Sequence, residues 1–217
     1  MIRAVVFDLD GVLIESEELW DAARRKVASE HGGRWRDDAT TAMQGMSSRE
    51  WADYMHDDLG VELPADEIIE LVVDDLLARY REHLPLLPGA VDAVRRIGAR
   101  WPLGLASSAN RVVIDAVLDA AGLDNAFAVT LSSEEVAHGK PAPDVYLEAA
   151  RRLGIDPRAG VAIEDSSSGI RSALAAGLHV IAVPNHVFPP EQDALAKADA
   201  VLAGLDDLTV ELVEQLG

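Results

Sequence analysis

A short apolar segment close to the first residue limits the fold more than any other feature of this sequence. Residues 3–7 are Arg-Ala-Val-Val-Phe, and Asp8-Leu9-Asp10-Gly11 follows them directly. A β-branched apolar run that ends in charge predicts a strand buried on both faces, as in a parallel sheet. Asp8 then lies at the carboxyl end of this strand, the edge at which open parallel sheets bind ligands. Side chains alternate along a strand, so Asp8 and Asp10 point the same way unless Gly11 has already turned the chain.

The segment after the first strand has a helical pattern. Ser16 is the expected N-cap of a first helix, and a capping box from Ser47 to Glu50 opens a second helix that runs to Gly60. Pro64 opens a third helix, in which apolar residues recur at helical spacing while acidic residues fill the other face. We therefore expect an all-helical cap, inserted directly after the first strand.

From Pro85 onwards, predicted strands and helices alternate. Apolar runs that predict strands occur at residues 102–107, 127–131, 161–163, 179–183 and, as a short edge strand, 200–202. Asn110 is the expected N-cap of the helix after the second strand. Strands that alternate with helices imply right-handed crossovers and a parallel sheet covered on both faces. We therefore predict an α/β fold: a doubly wound (Rossmann-like) core of residues 1–14 and 86–217, with the helical cap at residues 15–85.

Polar side chains follow the later strands of the predicted core. Ser107 ends the second strand, and Glu164 and Asp165 follow the fourth. Lys140 lies between a glycine and a proline, so its backbone is unusually constrained for a surface loop. In a doubly wound sheet these ends share one edge with Asp8, where carboxylates repel one another. Protonation of one carboxylate or a bound cation relieves that repulsion, and Mg2+ is suited to oxygen ligands of this kind.

Four segments resemble, in the same order, the motifs of the haloacid dehalogenase superfamily. They are Asp8-x-Asp10-Gly11-Val12-Leu13, Ser107, Gly139-Lys140-Pro141-x-Pro143 and Glu164-Asp165. Most members of that superfamily are magnesium-dependent phosphatases, and the resemblance covers essentially the whole chain. It implies a phosphatase that acts on a small phosphomonoester, such as a sugar phosphate.

The resemblance also implies a role for each motif residue. Asp8 would attack phosphorus and become an aspartyl-phosphate, while Asp10 would donate a proton to the leaving group and later take one from water. Ser107 and Lys140 would bind the phosphoryl group and stabilise its charge. The implied Mg2+ ligands are Asp8, Asp10 through its backbone carbonyl, Asp165, and Glu164 either directly or through water.

Two residues of the predicted cap are candidates for substrate binding. Trp20 is by default a core aromatic, but its place in the cap would also let it line the substrate pocket. Arg49 follows the turn Gly45-Met46-Ser47-Ser48 and could pair with a substrate carboxylate or a second phosphate. The alternative for Arg49 is a solvated charge on a helix surface.

Two other functions compete with the phosphatase. Sugar phosphomutases resembling β-phosphoglucomutase also keep Asp10, but they carry a cap histidine where this sequence has Trp20. An indole N–H only donates, so we expect water and not a second sugar hydroxyl to receive the phosphoryl group. A non-enzymatic phospho-acceptor resembling a response-regulator receiver fits less well, because it has neither the cap nor the nucleophile on the first strand.

The composition narrows the partners of the chain. A net charge of −19 opposes binding to nucleic acid or to an anionic membrane surface. A phosphorylated small molecule then needs a locally positive site, which a metal ion and a few placed Lys or Arg residues would provide. The absence of cysteine excludes disulfides and thiolate catalysis. Because no apolar signal segment or membrane span is recognisable, we expect a cytoplasmic protein, and we expect it to be a monomer.

Overall fold

The computed structural model describes residues 1–43, 46–185 and 189–217, so Gly45 of the predicted turn before Arg49 lies outside the described residues. The strands are β1 (Ala4–Phe7), β2 (Leu103–Ser107), β3 (Val129–Ser132), β4 (Gly160–Glu164), β5 (His179–Ala182) and β6 (Ala200–Val201). They form one parallel sheet in the order β3-β2-β1-β4-β5-β6. The expected doubly wound α/β fold is confirmed.

The helices form two groups along the chain. Between β1 and β2 lie α1 (Glu17–Glu30), α2 (Ala39–Ala42), α3 (Ser48–Asp57), α4 (Ala65–Glu82) and α5 (Ala90–Gly98). After β2 lie α6 (Arg111–Ala121), α7 (Asp144–Leu153), α8 (Ser167–Ala176), α9 (Gln192–Leu195) and α10 (Val210–Glu214). Within the inserted helical segment, residues 15–85, α4 packs against both α1 and α3. Among the described residues, no helix has the length and apolar character needed to cross a membrane.

β1 lies at the centre of the sheet, and its four side chains are buried. Val5 and Phe7 face one side and share an apolar cluster with α5, α6 and the helices of the inserted segment. Val6 faces the other side and packs with α7 and α8. Since β2 and β4 flank β1, the chain leaves β1 where the strand order reverses, and this is where an open α/β sheet forms its ligand crevice.

Several element boundaries differ from the expected ones. α3 ends at Asp57 and not near Gly60, whose φ of 71° belongs to the turn after the helix. β3 begins two residues after Phe127, whose ring instead packs edge to face against Phe7 at a centroid distance of 6.2 Å. The single-turn helix α2 was not predicted, because four residues are too few to display helical periodicity.

Ser16 and Asn110 occupy the expected N-cap positions, but neither side chain caps its helix. The Ser16 hydroxyl donates to the Asp10 carboxylate. The Asn110 side chain accepts a hydrogen bond from Ser48 Oγ at 2.8 Å and donates to Glu134 Oε1 at 2.6 Å. Both predictions of side-chain capping were wrong, because tertiary partners compete for the same side-chain atoms.

Candidate active site

Lys140, in the loop before α7, lies at the centre of a group of buried charges at the carboxyl edge of the sheet. Its Nζ donates to Asp8 Oδ1 at 2.8 Å, to Glu164 Oε1 at 2.6 Å and to the carbonyl oxygen of Ala106 at 3.0 Å. These bonds use the three hydrogens of the ammonium group. Burial lowers the pKa of Lys140, but the carboxylates of Asp8 and Glu164 outweigh burial and hold that pKa above its ordinary value. Lys140 is therefore charged and links the ends of β1, β2 and β4.

Glu164, the last residue of β4, is fully buried, and hydrogen bonds satisfy both of its carboxylate oxygens. Oε1 accepts from Lys140 and from the hydroxyl of Tyr146 at 2.7 Å. Oε2 accepts from the backbone N–H groups of Asp165 and Ser166, at 3.1 and 3.3 Å. A Cβ on Gly169 would come within 1.8 Å of Oε1, so only glycine lets the first turn of α8 approach this carboxylate.

Asp8, Glu164 and Asp165 form a carboxylate cluster that could hold a divalent cation. Each offers one oxygen, and these three oxygens lie within 4.8 Å of one another. Burial raises the pKa of Asp8 to about 7, with Lys140 opposing and Glu164 adding to the shift. Burial and the carboxylates of Glu164 and Asp8 raise the pKa of Asp165 well above its ordinary value. Crowded buried oxygens of this kind fit a hard divalent cation, which would relieve their repulsion.

Gly11 allows this cluster to form at the end of β1. Its φ of 77° lies in the left-handed region that favours glycine. A Cβ at this position would come within 1.9 Å of Asp165 Oδ2. The turn after β1 can therefore pass directly beside the carboxylate of Asp165.

The side chain of Asp10 contacts the start of α1 and the end of β2. Its Oδ1 accepts hydrogen bonds from the Ser16 hydroxyl and from Trp20 Nε1, the latter at 3.2 Å. Its Oδ2 lies 3.5 Å from Ser107 Oγ. The side chains of Asp8 and Asp10 thus have different neighbours, since only Asp8 belongs to the carboxylate cluster. The predicted metal contact of Asp10 through its backbone carbonyl stays a prediction.

Ser107 lies at the end of β2, next to Asp10, and is fully buried. Its Oγ accepts a hydrogen bond from the backbone N–H of Ala109 at 3.0 Å. The following residue, Ser108, contributes to the wall of the adjoining cavity. Contact between Ser107 and a phosphoryl group stays a prediction.

A cavity of about 440 Å³ opens above the cluster and is bounded by α1, α3 and the carboxyl edge of the sheet. Asp8, Asp10, Lys140 and Asp165 line its floor, and Trp20 lines its upper wall, as the sequence suggested. Arg49 is not among its described lining residues. Its side chain is 61% exposed and pairs with the carboxylates of Asp53 and Asp66 at 3.2 and 2.7 Å. These ion pairs favour the alternative of a solvated helix charge, and contact between Arg49 and a substrate stays a prediction.

Three residues of the site were not found from the sequence. Glu17 and Arg24 lie three residues before and four residues after Trp20, so helical spacing brings all three to the same wall of the cavity. Burial raises the pKa of Glu17 to about 7, although Arg24 lowers it. Tyr146 is recognisable only through its contact with Glu164, which lies far away in sequence. The helical spacing around Trp20 was the available signal for the first two.

Comparison with known proteins assigns the family. Residues 2–177 match the model of the haloacid dehalogenase-like hydrolases. Hexitol phosphatase B of Escherichia coli (strain K12) is 34% identical over 215 residues, which cover 97% of this chain and 96% of that protein. The bifunctional riboflavin kinase/FMN phosphatase of Arabidopsis thaliana is 32% identical over 209 residues. There the alignment covers 95% of this chain but 54% of the longer plant protein. The chain belongs to the haloacid dehalogenase-like hydrolases.

A solved structure shares the fold of this chain. A β-phosphoglucomutase from Clostridium difficile superposes with a TM-score of 0.85, covering 100% of this chain and 97% of that chain at 23% identity. An identity this low shows a shared fold and carries no argument about the reaction. The full-length relative is a phosphatase, and the carboxylate cluster is of the kind that holds a divalent metal. The protein is a hydrolase of this family.

Proposed function

We propose that this enzyme is a Mg2+-dependent phosphatase that hydrolyses a small phosphomonoester, a sugar phosphate or a similar metabolite, through a phosphorylated Asp8. The carboxylate cluster of Asp8, Glu164 and Asp165 around Lys140, on the floor of the cavity, carries this proposal. Its three carboxylates and one ammonium leave two unbalanced negative charges. A divalent cation matches that number.

In the proposed mechanism, Asp8 is the nucleophile and Asp10 moves the protons. Asp8 attacks phosphorus, the bond between phosphorus and the leaving oxygen breaks, and Asp10 gives that oxygen a proton. Asp10 then takes a proton from the water that hydrolyses the aspartyl-phosphate, which releases inorganic phosphate. Because Ser16 and Trp20 already donate to Oδ1 of Asp10, the moving proton is carried on Oδ2. Ser107 would bind a phosphoryl oxygen, and Lys140 would bind another by giving up one of its three present hydrogen bonds.

Mg2+ would be held by the carboxylates of Asp8, Glu164 and Asp165 and by the backbone carbonyl of Asp10. When bound, it supplies positive charge that stabilises the phosphoryl oxygens in the transition state. We further propose that residues 15–85 close over the core of residues 1–14 and 86–217, exclude bulk water and select the substrate. We expect the enzyme to act as a monomer in the cytoplasm.

Purified enzyme, Mg2+ and a panel of phosphomonoesters test this proposal through release of inorganic phosphate. Incubation with β-glucose 1-phosphate and a trace of glucose 1,6-bisphosphate separates the phosphatase from the mutase. Trp20 donates to Asp10 and cannot accept a proton from it, so we expect free phosphate as the product. Efficient formation of glucose 6-phosphate with little free phosphate would show that the enzyme is a mutase.

A further inference from the structure

Arg24 on α1 is a buried cation in the wall of the cavity. The residue is 7% exposed, and its guanidinium lies over the rings of Trp20 and Trp51, 5.1 Å from each centroid. Its buried Nε has no hydrogen-bond partner. Within the described part of the chain, no carboxylate oxygen lies within 4.0 Å of its nitrogens. Among the described residues, Arg24 thus has ring contacts but neither a hydrogen bond nor an ion pair.

The other cations that line the cavity already have anionic partners. Lys140 donates to Asp8 and Glu164, as described above. Arg171 pairs with Glu191 and, at 2.9 Å, with Asp193. Of the cations in the described cavity wall, Arg24 is therefore the one that forms no ion pair with a described residue.

The surroundings of Arg24 favour an anionic ligand. A guanidinium is always charged, and burying it without an anion is unfavourable, an effect that the two indole faces offset only in part. Glu17 lines the same wall but forms no ion pair with Arg24 in the described residues. The carboxylates of Glu17, Asp21 and Asp10 favour the charged form of Arg24, but none of them forms an ion pair with it among the described residues.

Arg24 is close enough to the reacting groups to contact the leaving part of a small substrate. The indole of Trp20 touches both sides: its Nε1 is 3.2 Å from Asp10 Oδ1, and its ring contacts the Arg24 guanidinium. One indole therefore separates the guanidinium from the side chain proposed to protonate the leaving oxygen. A substrate whose phosphoester lies over Asp8 would extend along Trp20 towards Arg24.

We propose that Arg24 binds a second anionic group of the substrate, on the leaving-group side of the phosphoester. The preferred substrates are then small phosphomonoesters that also carry a carboxylate or a second phosphate. A guanidinium provides paired donors that match either group. This inference rests on the proposed phosphatase function and narrows its substrate class.

Two matched substrate pairs test the proposal. Glycerol 1-phosphate and 3-phosphoglycerate differ by a carboxylate, and fructose 1-phosphate and fructose 1,6-bisphosphate differ by a second phosphate. For each compound, kcat and KM are measured with Mg2+ for the natural enzyme and for the variants Arg24→Met, Arg24→Lys and Arg25→Met. Arg25 is the matched control, because it lies on the same helix, is half-exposed, and pairs with Asp21 while stacking on Trp35.

We expect the natural enzyme to prefer the compound with the additional anionic group in at least one pair, that is 3-phosphoglycerate or fructose 1,6-bisphosphate. Arg24→Met should lower kcat/KM for that compound about 10- to 100-fold more than for the other compound of the pair, which lacks the additional anionic group. The loss should arise mainly through KM. Arg24→Lys should keep part of the preference, and Arg25→Met should keep all of it. The pair that shows the effect identifies the anion as a carboxylate or as a phosphate.

Other outcomes would overturn the proposal. In the first, the natural enzyme prefers glycerol 1-phosphate and fructose 1-phosphate, the compounds without the additional anionic group. In the second, Arg24→Met lowers kcat/KM by the same factor for both compounds of a pair. Thermal melting separates a structural role: Arg24→Met removes an unpaired buried charge and should melt no lower than the natural enzyme. If neither Arg24 variant folds, Arg24 is structural and the proposal is wrong. If the natural enzyme turns over neither these esters nor p-nitrophenyl phosphate, the phosphatase function itself fails, whatever Arg24 does.

Discussion

At the scale of single residues, charge balance explains how so many carboxylates can be buried together. Lys140 pairs with Asp8 and Glu164. The Tyr146 hydroxyl and two backbone N–H groups donate further hydrogen bonds to the Glu164 carboxylate. Asp8 and Asp165 nevertheless keep raised pKa values, because burial and their neighbours disfavour the charged forms. The metal-free chain therefore carries a destabilising charge at Asp8 near and above neutral pH.

The variant Asp8→Asn should lose phosphate release and keep its fold, because an amide cannot act as this nucleophile. Folding raises the pKa of Asp8 from 3.8 to about 7, so the cost of its charge is absent below about pH 4 and complete above about pH 7. In the presence of a chelator, Asp8→Asn should therefore melt higher than the natural enzyme at pH 8, with a smaller difference at pH 5. Each kcal/mol corresponds to about 2–4 °C.

The control for this prediction is Asp66→Asn, which removes a carboxylate whose side chain is 86% exposed. It should change neither turnover nor the pH dependence of melting. Substantial turnover by folded Asp8→Asn would reject Asp8 as the nucleophile. An equal melting difference at both pH values would reject the raised pKa.

At the scale of elements, the junction of β4 and α8 depends on Gly169. We expect Gly169→Ala to displace the Glu164 carboxylate, since the new Cβ would come within 1.8 Å of Oε1. Overpacking of this kind costs about 1–3 kcal/mol. Turnover should fall as well, because Lys140 would lose a partner. Gly204→Ala is the control: no atom lies within 4 Å of its Cβ position, so urea denaturation should show no change beyond about 0.5 kcal/mol. Equal effects of the two substitutions would contradict the close packing.

A buried hydrogen bond joins α3 to the start of α6. Ser48 Oγ donates to Asn110 Oδ1 at 2.8 Å, and both residues are buried. Ser48→Ala should cost about 1–3 kcal/mol in urea denaturation, since the Asn110 oxygen would lose its donor. Ser29→Ala, on the exposed side of α1, should stay within about 0.5 kcal/mol of the natural enzyme. A neutral Ser48→Ala would mean that water replaces the lost hydroxyl.

At the scale of the whole molecule, a strongly acidic chain surrounds a site built to receive phosphate. The net charge of −19 repels anions at long range, whereas Lys140 and Arg24 supply positive charge inside the cavity. Local charge can act in this way because salt screens the distant carboxylates over about 8 Å at physiological ionic strength. A bound divalent cation would add to the local positive charge and to folding stability.

Mg2+ should raise the melting temperature of the chelated enzyme and restore its turnover. At about 100 times its Kd, a ligand specific for the folded state adds about 2.7 kcal/mol, or roughly 5–10 °C for a chain of this size. Asp165→Ala should reduce both effects, while Asp53→Ala, which changes a half-exposed carboxylate on α3, should leave both in place. Full activity after thorough chelation, or an undiminished Mg2+ shift in Asp165→Ala, would contradict the metal site.

The order of strands and helices and the residues at the strand ends followed from the sequence, because hydrophobic period and capping patterns are local. Asp8 and Asp165 could be singled out in this way, as could the capping box at Ser47, which the structure confirms. Lys140 was singled out by its place between a glycine and a proline and by the resemblance of that loop to a family motif. The tertiary structure decided which side chains meet across long separations in the chain. It directed Ser16 to Asp10, paired Arg49 with Asp66 on the surface and placed Arg24 against Trp51. A polar side chain has many local partners in reach, and only packing selects among them.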